Sequence, residues 1–210
     1  MGIEDNMASE IKVAVNGVLG RMGSTVLTAA DLEPGVTPVG GADIAASSSS
    51  TVISGTAISV PLSSNLADLF KVVKPDVVVD FTNGDAAKSA ITTCINAGVR
   101  VVSGSTGLTS EDIEEIKRLS AVKQVGVISA SNFALGAVVL MHLAGIASKY
   151  FDYADLLESH HEAKIDAPSG TALSIAQSMI EGRGSGFDHN VVESQILEGT
   201  RGGDFQGINV

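Results

Sequence analysis

The chain has 210 residues, enough for one large domain or two modest ones, with 44% hydrophobic content for a core. Its 13 basic residues stand against 24 acidic ones, a formal net charge of -11, which argues against nucleic acid as partner because phosphate backbones need clustered Lys and Arg. Cys94 is the single cysteine, so an intramolecular disulfide and a Cys-based zinc site are both excluded.

The first ten residues, M-G-I-E-D-N-M-A-S-E, are acidic and polar and lack the basic and then apolar run of a signal peptide. Met1-Gly2 has the form of a myristoylation start, but Asn6 stands where Ser or Thr is expected. The longest apolar run, Ala134 to Ala147, is interrupted by Gly136, His142 and Gly145 and is too short to span a bilayer. A cytoplasmic protein without a membrane partner is the expectation.

Ile11 to Val15 is a short apolar run ending in a glycine loop, the pattern of a buried parallel strand. Arg21 to Ala30 reads as a helix, Pro34-Gly35 as a turn, and Val36 to Ala42 as a second strand ending near Asp43. Residues 45 to 51, A-A-S-S-S-S-T, read as a polar surface loop. Leu66 to Val73 is helical in pattern, and Pro75 introduces the strand D-V-V-V-D-F-T. A helix from Asp85 to Ala97 is closed by Gly98, the glycine expected at a helix C-terminus. Arg100 to Ser103 is a strand, Thr109 or Ser110 caps an acidic-first-turn helix, and Val125 to Ser129 is a further strand. Alternating strands and helices of this length predict βαβ units and a parallel sheet covered on both faces. The fold class is α/β, with a Rossmann-like cofactor domain over residues 1–130 and an α+β substrate domain over 131–210.

In the second part, Leu135 to Lys149 reads as a small-residue apolar helix, D-Y-A-D-L-L-E-S-H-H as a strand, and a helix starts near Ser169. A glycine-rich polar tail follows, and the final G-I-N-V reads as the first half of a strand. The expectation is a substrate domain that stops mid-element, incomplete at its C-terminus.

Gly17-Val18-Leu19-Gly20-Arg21-Met22-Gly23 lies directly after a strand and before a helix. Such glycines let backbone N–H groups approach a pyrophosphate, and the helix N-terminus adds partial positive charge. The same loop without a ligand is simply a tight turn, and its spacing departs from G-x-G-x-x-G at Val18-Leu19. Asp43, at the end of the second strand, favours the binding reading: a carboxylate there accepts bonds from an adenosine ribose and repels a 2′-phosphate. Ile44 follows where a 2′-phosphate reader would want Arg, so the lean is toward NADH over NADPH. Three more strand ends carry small polar groups: Phe81-Thr82, Gly104-Ser105-Thr106-Gly107 and Ala130-Ser131-Asn132-Phe133. Each alone is an ordinary turn; together at one sheet edge they line a cleft.

Glu158 to Ala172, E-S-H-H-E-A-K-I-D-A-P-S-G-T-A, gathers His160, His161, Lys164, Ser169, Gly170 and Thr171. A surface histidine pair beside an N-cap serine would account for it structurally. No further His or Cys cluster completes a metal site. The chemical reading uses the N–H groups of Gly170 and Thr171 in the first helical turn for a carboxylate, Lys164 for positive charge, and a histidine for a proton near neutral pH.

These motifs resemble the 4-hydroxy-tetrahydrodipicolinate reductase (dihydrodipicolinate reductase) family of lysine biosynthesis. The resemblance runs from Ile11 onward and rests on V-N-G-V-L-G-R-M-G, V-V-D-F-T, G-S-T-G-L, N-F-A-L-G-A and, most specifically, the histidine block. It implies NADH or NADPH on the first domain, a small cyclic dicarboxylate substrate at the second, and a homotetramer for a complete version. It further implies His160 as proton donor or acceptor and Lys164 as the second catalytic group. His161, Ser169, Gly170 and Thr171 would contact the substrate. Gly17, Val18, Leu19, Gly20, Arg21, Met22, Asp43, Phe81, Gly104, Ser105, Thr106, Ala130, Ser131, Asn132 and Phe133 would line the cofactor. Ser105 departs from the family's usual Thr, and Asn83-Gly84 from its usual proline-containing turn. The family also continues past Val210, so a competing expectation is a dinucleotide-binding fragment without turnover. A reductase of another small amino or keto acid on the same fold is a third.

Overall fold

The computed structural model describes residues 10–162, 164, 167–189, 194, 196 and 202–210. The N-terminal segment 1–9, on which the reading of the leader rests, lies outside them, as do Ala163, Ile165 and Asp166 of the histidine block. The chain divides into two compact units, Met1–Ala130 and Ser131–Val210.

The first unit runs β1 (Ile11–Asn16), α1 (Arg21–Leu32), β2 (Val36–Ala42), β3 (Ser50–Val52), β4 (Ser59–Ser63), α2 (Leu66–Val72), β5 (Val77–Asp80), α3 (Gly84–Ala97), β6 (Arg100–Ser103), α4 (Ser110–Lys123) and β7 (Val127–Ser129). The strands form one sheet in the order β3-β4-β2-β1-β5-β6-β7. All neighbours are parallel except the antiparallel pair β3 and β4 at one edge.

Period-two alternation decides which side chain goes to which face of this sheet. Val13 and Val15 of β1 join Val18, Leu27, Val60 and Leu62 in one apolar cluster. Ala14 points the other way, into a cluster with Val78, Val101 and the α3 residues Ile91, Cys94 and Ile95. Each fully buried isoleucine such as Ile91 contributes about 1.5–3 kcal/mol of burial. Two cores on opposite faces explain why the strands are apolar along their length.

Local chemistry sets the helix ends. Asn83 accepts from Ala86 N–H to start α3, and Gly98 closes it in the left-handed region at φ 74. Thr109 and Asp112 form a reciprocal capping box at the start of α4.

The polar stretch 45–51 is only partly a loop, since its last two residues begin β3. Thr51 and its neighbours in the edge strand β3 pair with β4 around Pro61, which precedes the two β4 residues, Leu62 and Ser63, that pair with β2.

The second unit contains α5 (Leu135–Ala147), a 3₁₀ turn (Ser148–Tyr150), α6 (Gly170–Arg183), β8 (Asp204–Phe205) and β9 (Ile208–Asn209). Its core holds Ala176 and Ile180 of α6 with Phe187 and Ile208. α5 packs on α6 yet carries no buried residue, with Leu135 78% and Leu140 54% exposed. The expected strand before the histidines is not a strand. One bridge, Asp155 to Asn209, replaces it because β9 offers a partner only two residues long. The terminal G-I-N-V likewise belongs to a β8–β9 hairpin. No helix of the described residues is long and apolar enough to cross a membrane.

Candidate functional site

In the first unit, sheet register puts Ala42, Asn16, Asp80, Ser103 and Ser129 side by side in one row across β2, β1, β5, β6 and β7. The next residue of each chain segment is therefore Asp43, Gly17, Phe81, Gly104 and Ala130, all leaving the sheet at the same edge. Strand order reverses at β1, so the point between β1 and β5 is the switch point where doubly wound sheets open a crevice.

The glycine loop at that point depends on close backbone packing. Gly17 has φ +77, and a Cβ on it would lie 2.6 Å from Phe81 O. A Cβ on Gly23 would lie 2.0 Å from Gly17 O, so the first turn of α1 can fold back on the loop only without a side chain there. Gly20 is the N-cap, makes no side-chain cap bond, and the first turn of α1 holds no acidic residue. Its forward-pointing N–H groups fit a phosphate. Leu19, Arg21 and Met22 are exposed around the loop. Val18 differs: its side chain is 2% exposed and packs against Gly41, so it belongs to the core and only its backbone faces the loop.

Asp43 ties this loop down. Its Oδ2 accepts from Leu19 N–H at 3.0 Å and its Oδ1 from Ala45 N–H at 2.9 Å. Each carboxylate oxygen keeps a second lone pair, so the group can still accept from a ribose hydroxyl. Ile44 beside it is 93% exposed.

Asp80 is the residue that sequence reasoning passed over. It is fully buried at the centre of the row. Its Oδ1 accepts from Asn16 Nδ2 at 2.8 Å and Thr82 Oγ1 at 2.9 Å; its Oδ2 accepts from Ser103 Oγ at 2.9 Å and Ser105 Oγ at 2.7 Å. The carboxylate thus gathers the ends of β1, β5 and β6. Ser105 is buried and also receives Thr82 N–H at 2.6 Å, so its hydroxyl is spent within the protein. This explains why Ser serves where Thr is usual: the hydroxyl is what the network uses. Phe81 lies against Gly104, where a Cβ would come 2.2 Å from the ring. Thr106 is exposed at the same loop.

In the second unit, Ser131 and Ser174 hydroxyls meet at 2.9 Å, and Asn132 Nδ2 donates to Thr171 Oγ1 at 3.0 Å. Asn132 Oδ1 also accepts from Ala134 N–H at 2.7 Å, leaving Phe133 47% exposed between them.

A cavity of about 970 Å³ within this unit is bordered by Glu158, His160, Lys164, Leu173, Asp155 and Asp204, among others. Of the six predicted substrate-side residues, His160 and Lys164 are on its wall. His161 is exposed, and Ser169 is buried as the N-cap of α6, its hydroxyl accepting from Ala172 N–H at 3.0 Å. Gly170 and Thr171 form the first turn of α6, which has no acidic residue of its own. Glu158 supplies one instead. Its Oε1 accepts from Ser169 N–H at 2.7 Å, and its Oε2 accepts from the Ser169 hydroxyl and faces His160 Nε2 at 2.9 Å. The Ser169 hydroxyl, then His160, then the Ser169 N–H hold this carboxyl down at about 2. Sequence spacing could not announce that contact, because Glu158 and Ser169 are eleven residues apart.

A parallel sheet covered on both faces, with a glycine loop at its switch point, makes the first unit Rossmann-like. The family described as dihydrodipicolinate reductase, N-terminus, matches residues 11–133, and the one described as dihydrodipicolinate reductase, C-terminus, matches 136–209. The chain is 41% identical over 200 residues to a 4-hydroxy-tetrahydrodipicolinate reductase of Dehalococcoides mccartyi (strain CBDB1), covering 95% of this chain and 75% of that protein. It is 38% identical over 204 residues to one from Listeria monocytogenes serotype 4b (strain CLIP80459), covering 95% and 77%. A dipicolinate-bound dihydrodipicolinate reductase from Paenisporosarcina sp. TG-14 superposes with a TM-score of 0.74 at 35% identity, over 95% of this chain and 76% of that one. This chain belongs to the dihydrodipicolinate reductase family.

Proposed function

We propose that the chain catalyses the NAD(P)H-dependent reduction of 4-hydroxy-tetrahydrodipicolinate to tetrahydrodipicolinate, in the diaminopimelate route to lysine. The observation that carries this reading is the meeting of His160 and Lys164 on one cavity wall, in a chain of this family. Residues 1–130 bind the dinucleotide and 131–210 hold the substrate. The dipicolinate-bound relative supports a small dicarboxylate as the substrate class.

The strand-end residues fit a dinucleotide. Arg21, Met22 and Gly23 in the first turn of α1 offer N–H groups to the pyrophosphate, while Gly17, Val18, Leu19 and Gly20, whose own N–H groups are held by Ala42, Asp43 and Gly17 oxygens, shape the loop it rests on. Asp43 accepts from the adenosine ribose, and with Ile44 after it the preference is for NADH. Phe81, Gly104, Ser105, Thr106 and Ala130 border the remaining length, with Ser131, Asn132 and Phe133 following in sequence. When bound, the reduced nicotinamide supplies a hydride.

The second unit supplies charge and a proton. Lys164 neutralises a substrate carboxylate, and His161, Gly170 and Thr171 complete its recognition, while Ser169, whose N–H and hydroxyl are both given to Glu158, acts by fixing the start of that turn. In net terms a hydride takes the place of the 4-hydroxyl, which leaves as water, and His160 supplies the one proton this balance requires, from the ring nitrogen that Glu158 does not hold. A cytoplasmic homotetramer is the proposed working state.

The test is steady-state oxidation of NADH and NADPH by the purified chain with 4-hydroxy-tetrahydrodipicolinate. Substrate-dependent oxidation, with a lower KM for NADH than NADPH, is expected. Thermal protection by NADH without any substrate-dependent oxidation would contradict the proposal and leave a dinucleotide-binding module.

A further inference from the structure

We propose that Glu158 is a positioning residue for the reduction: its carboxylate grips the His160 imidazole at Nε2 while anchored to the start of α6 through Ser169, fixing proton donor and substrate-binding turn at one spacing. This rests on the reading of His160 as the proton donor.

Capping alone does not account for the arrangement. Ser169 already caps α6 with its own hydroxyl, at 3.0 Å from Ala172 N–H. Glu158 adds bonds from Ser169 N–H at 2.7 Å and from the Ser169 hydroxyl, and then a third contact, to His160 Nε2 at 2.9 Å. The other carboxylates bordering the cavity are engaged elsewhere. Asp155 Oδ1 accepts from Asn209 Nδ2 at 2.6 Å, and Asp204 Oδ1 meets Gly207 N–H and His189 at 3.1 Å each. Glu158 is therefore the carboxylate that addresses His160 among the described residues.

The chemistry of that contact is directional. An ionised carboxylate only accepts, so Nε2 must carry a hydrogen, and Nδ1 is left as the nitrogen that gives and regains the exchangeable proton. The same carboxylate rests at a helix N-terminus, where negative charge is favoured, so it is a fixed rather than a swinging partner. Loss of the carboxylate should free the imidazole to rotate and to change tautomer without removing it.

A double-mutant cycle on the full chain tests this. E158Q should lower kcat about tenfold, inside the roughly 2- to 150-fold that coupled pairs show, with NADH affinity unchanged. In an H160Q background the same change should cost less than about twofold, because its target is gone. Equal losses in both backgrounds would reduce Glu158 to a structural role and overturn the proposal, as would no loss in either. If H160Q itself leaves kcat intact, the proton-donor reading fails first and takes this proposal with it. Nitrogen-15 NMR of the unaltered protein is an independent check that survives even if E158Q does not fold. Neutral His160 should be the Nε2–H tautomer; finding Nδ1–H would overturn the assignment.

Discussion

Asn132 donates from Nδ2 to Thr171 Oγ1 at 3.0 Å, which joins the segment ahead of α5 to the first turn of α6 within the second unit. Asn132 is fixed in turn by accepting Ala134 N–H, so it presents its amide to Thr171 in one orientation. The Thr171 hydroxyl is thus held in place with its own hydrogen free to point at a ligand oxygen. Thr171→Val preserves the shape and removes that donor. We expect KM for 4-hydroxy-tetrahydrodipicolinate to rise about tenfold, the weight of one hydrogen bond to a charged group. Steady-state kinetics would show it, and an unchanged KM would remove Thr171 from substrate recognition.

Asp80 should prove a major stability residue of the first unit. Removing its carboxylate leaves Asn16, Thr82, Ser103 and Ser105 around an empty buried space. Asp80→Ala should cost about 3–5 kcal/mol in urea unfolding, because several buried donors lose their acceptor at about 1–3 kcal/mol each. Asp80→Asn should cost less, because hydroxyl rotors can turn from donor to acceptor when they meet an amide. Equal stability of the alanine variant and the parent would contradict the network.

The Cys94 thiol is buried in the core cluster, and burial, with Asp80 adding to it, pushes it up to about 12. It should resist a disulfide reagent at pH 8 in the folded chain and react promptly in denaturing urea. Fast stoichiometric labelling of the native chain would show that α3 does not pack as described.

Part of the chain's acid sensitivity should arise at the start of α4. Lys88 first, then the N–H and hydroxyl of Thr109, lower the Asp112 carboxyl from its ordinary 3.8 to about 2. Its folded value lies below its unfolded one, so its stabilising effect is complete above the ordinary carboxylate range and is lost as pH falls from there to about 2. The urea midpoint should decline across that window. Asp112→Asn should flatten the decline, and an unchanged acid slope in that variant would exclude the pair as its source.

Much of the first unit was legible because its strands are short apolar runs punctuated by Gly, Pro and Asn. The β3–β4 edge was not, because serines and Pro61 mask it; the alternation of buried Val60 and Leu62 was the available signal. The D-Y-A-D-L-L segment misled in the opposite sense. Its pattern is strand-like, but strand formation needs a ladder partner, and it has one bridge. At the candidate site, motif spacing reaches residues that act from one loop, such as Gly17 and Gly20. It does not reach long-range carboxylate contacts: Asp80 binds Ser105 across 25 positions and Glu158 binds Ser169 across 11. Folding alone creates those pairs. The same limit hid the second task of Asp43, which ties down the glycine loop at Leu19.

The most direct test of the account compares the parent chain with His160→Gln in one assay, measuring kcat with 4-hydroxy-tetrahydrodipicolinate and, separately, the dissociation constant for NADH. With His160 as the proton donor, kcat should fall by about 10²–10⁴-fold, the usual share of such a group, with NADH binding unchanged. Intact turnover combined with weakened NADH binding would contradict it.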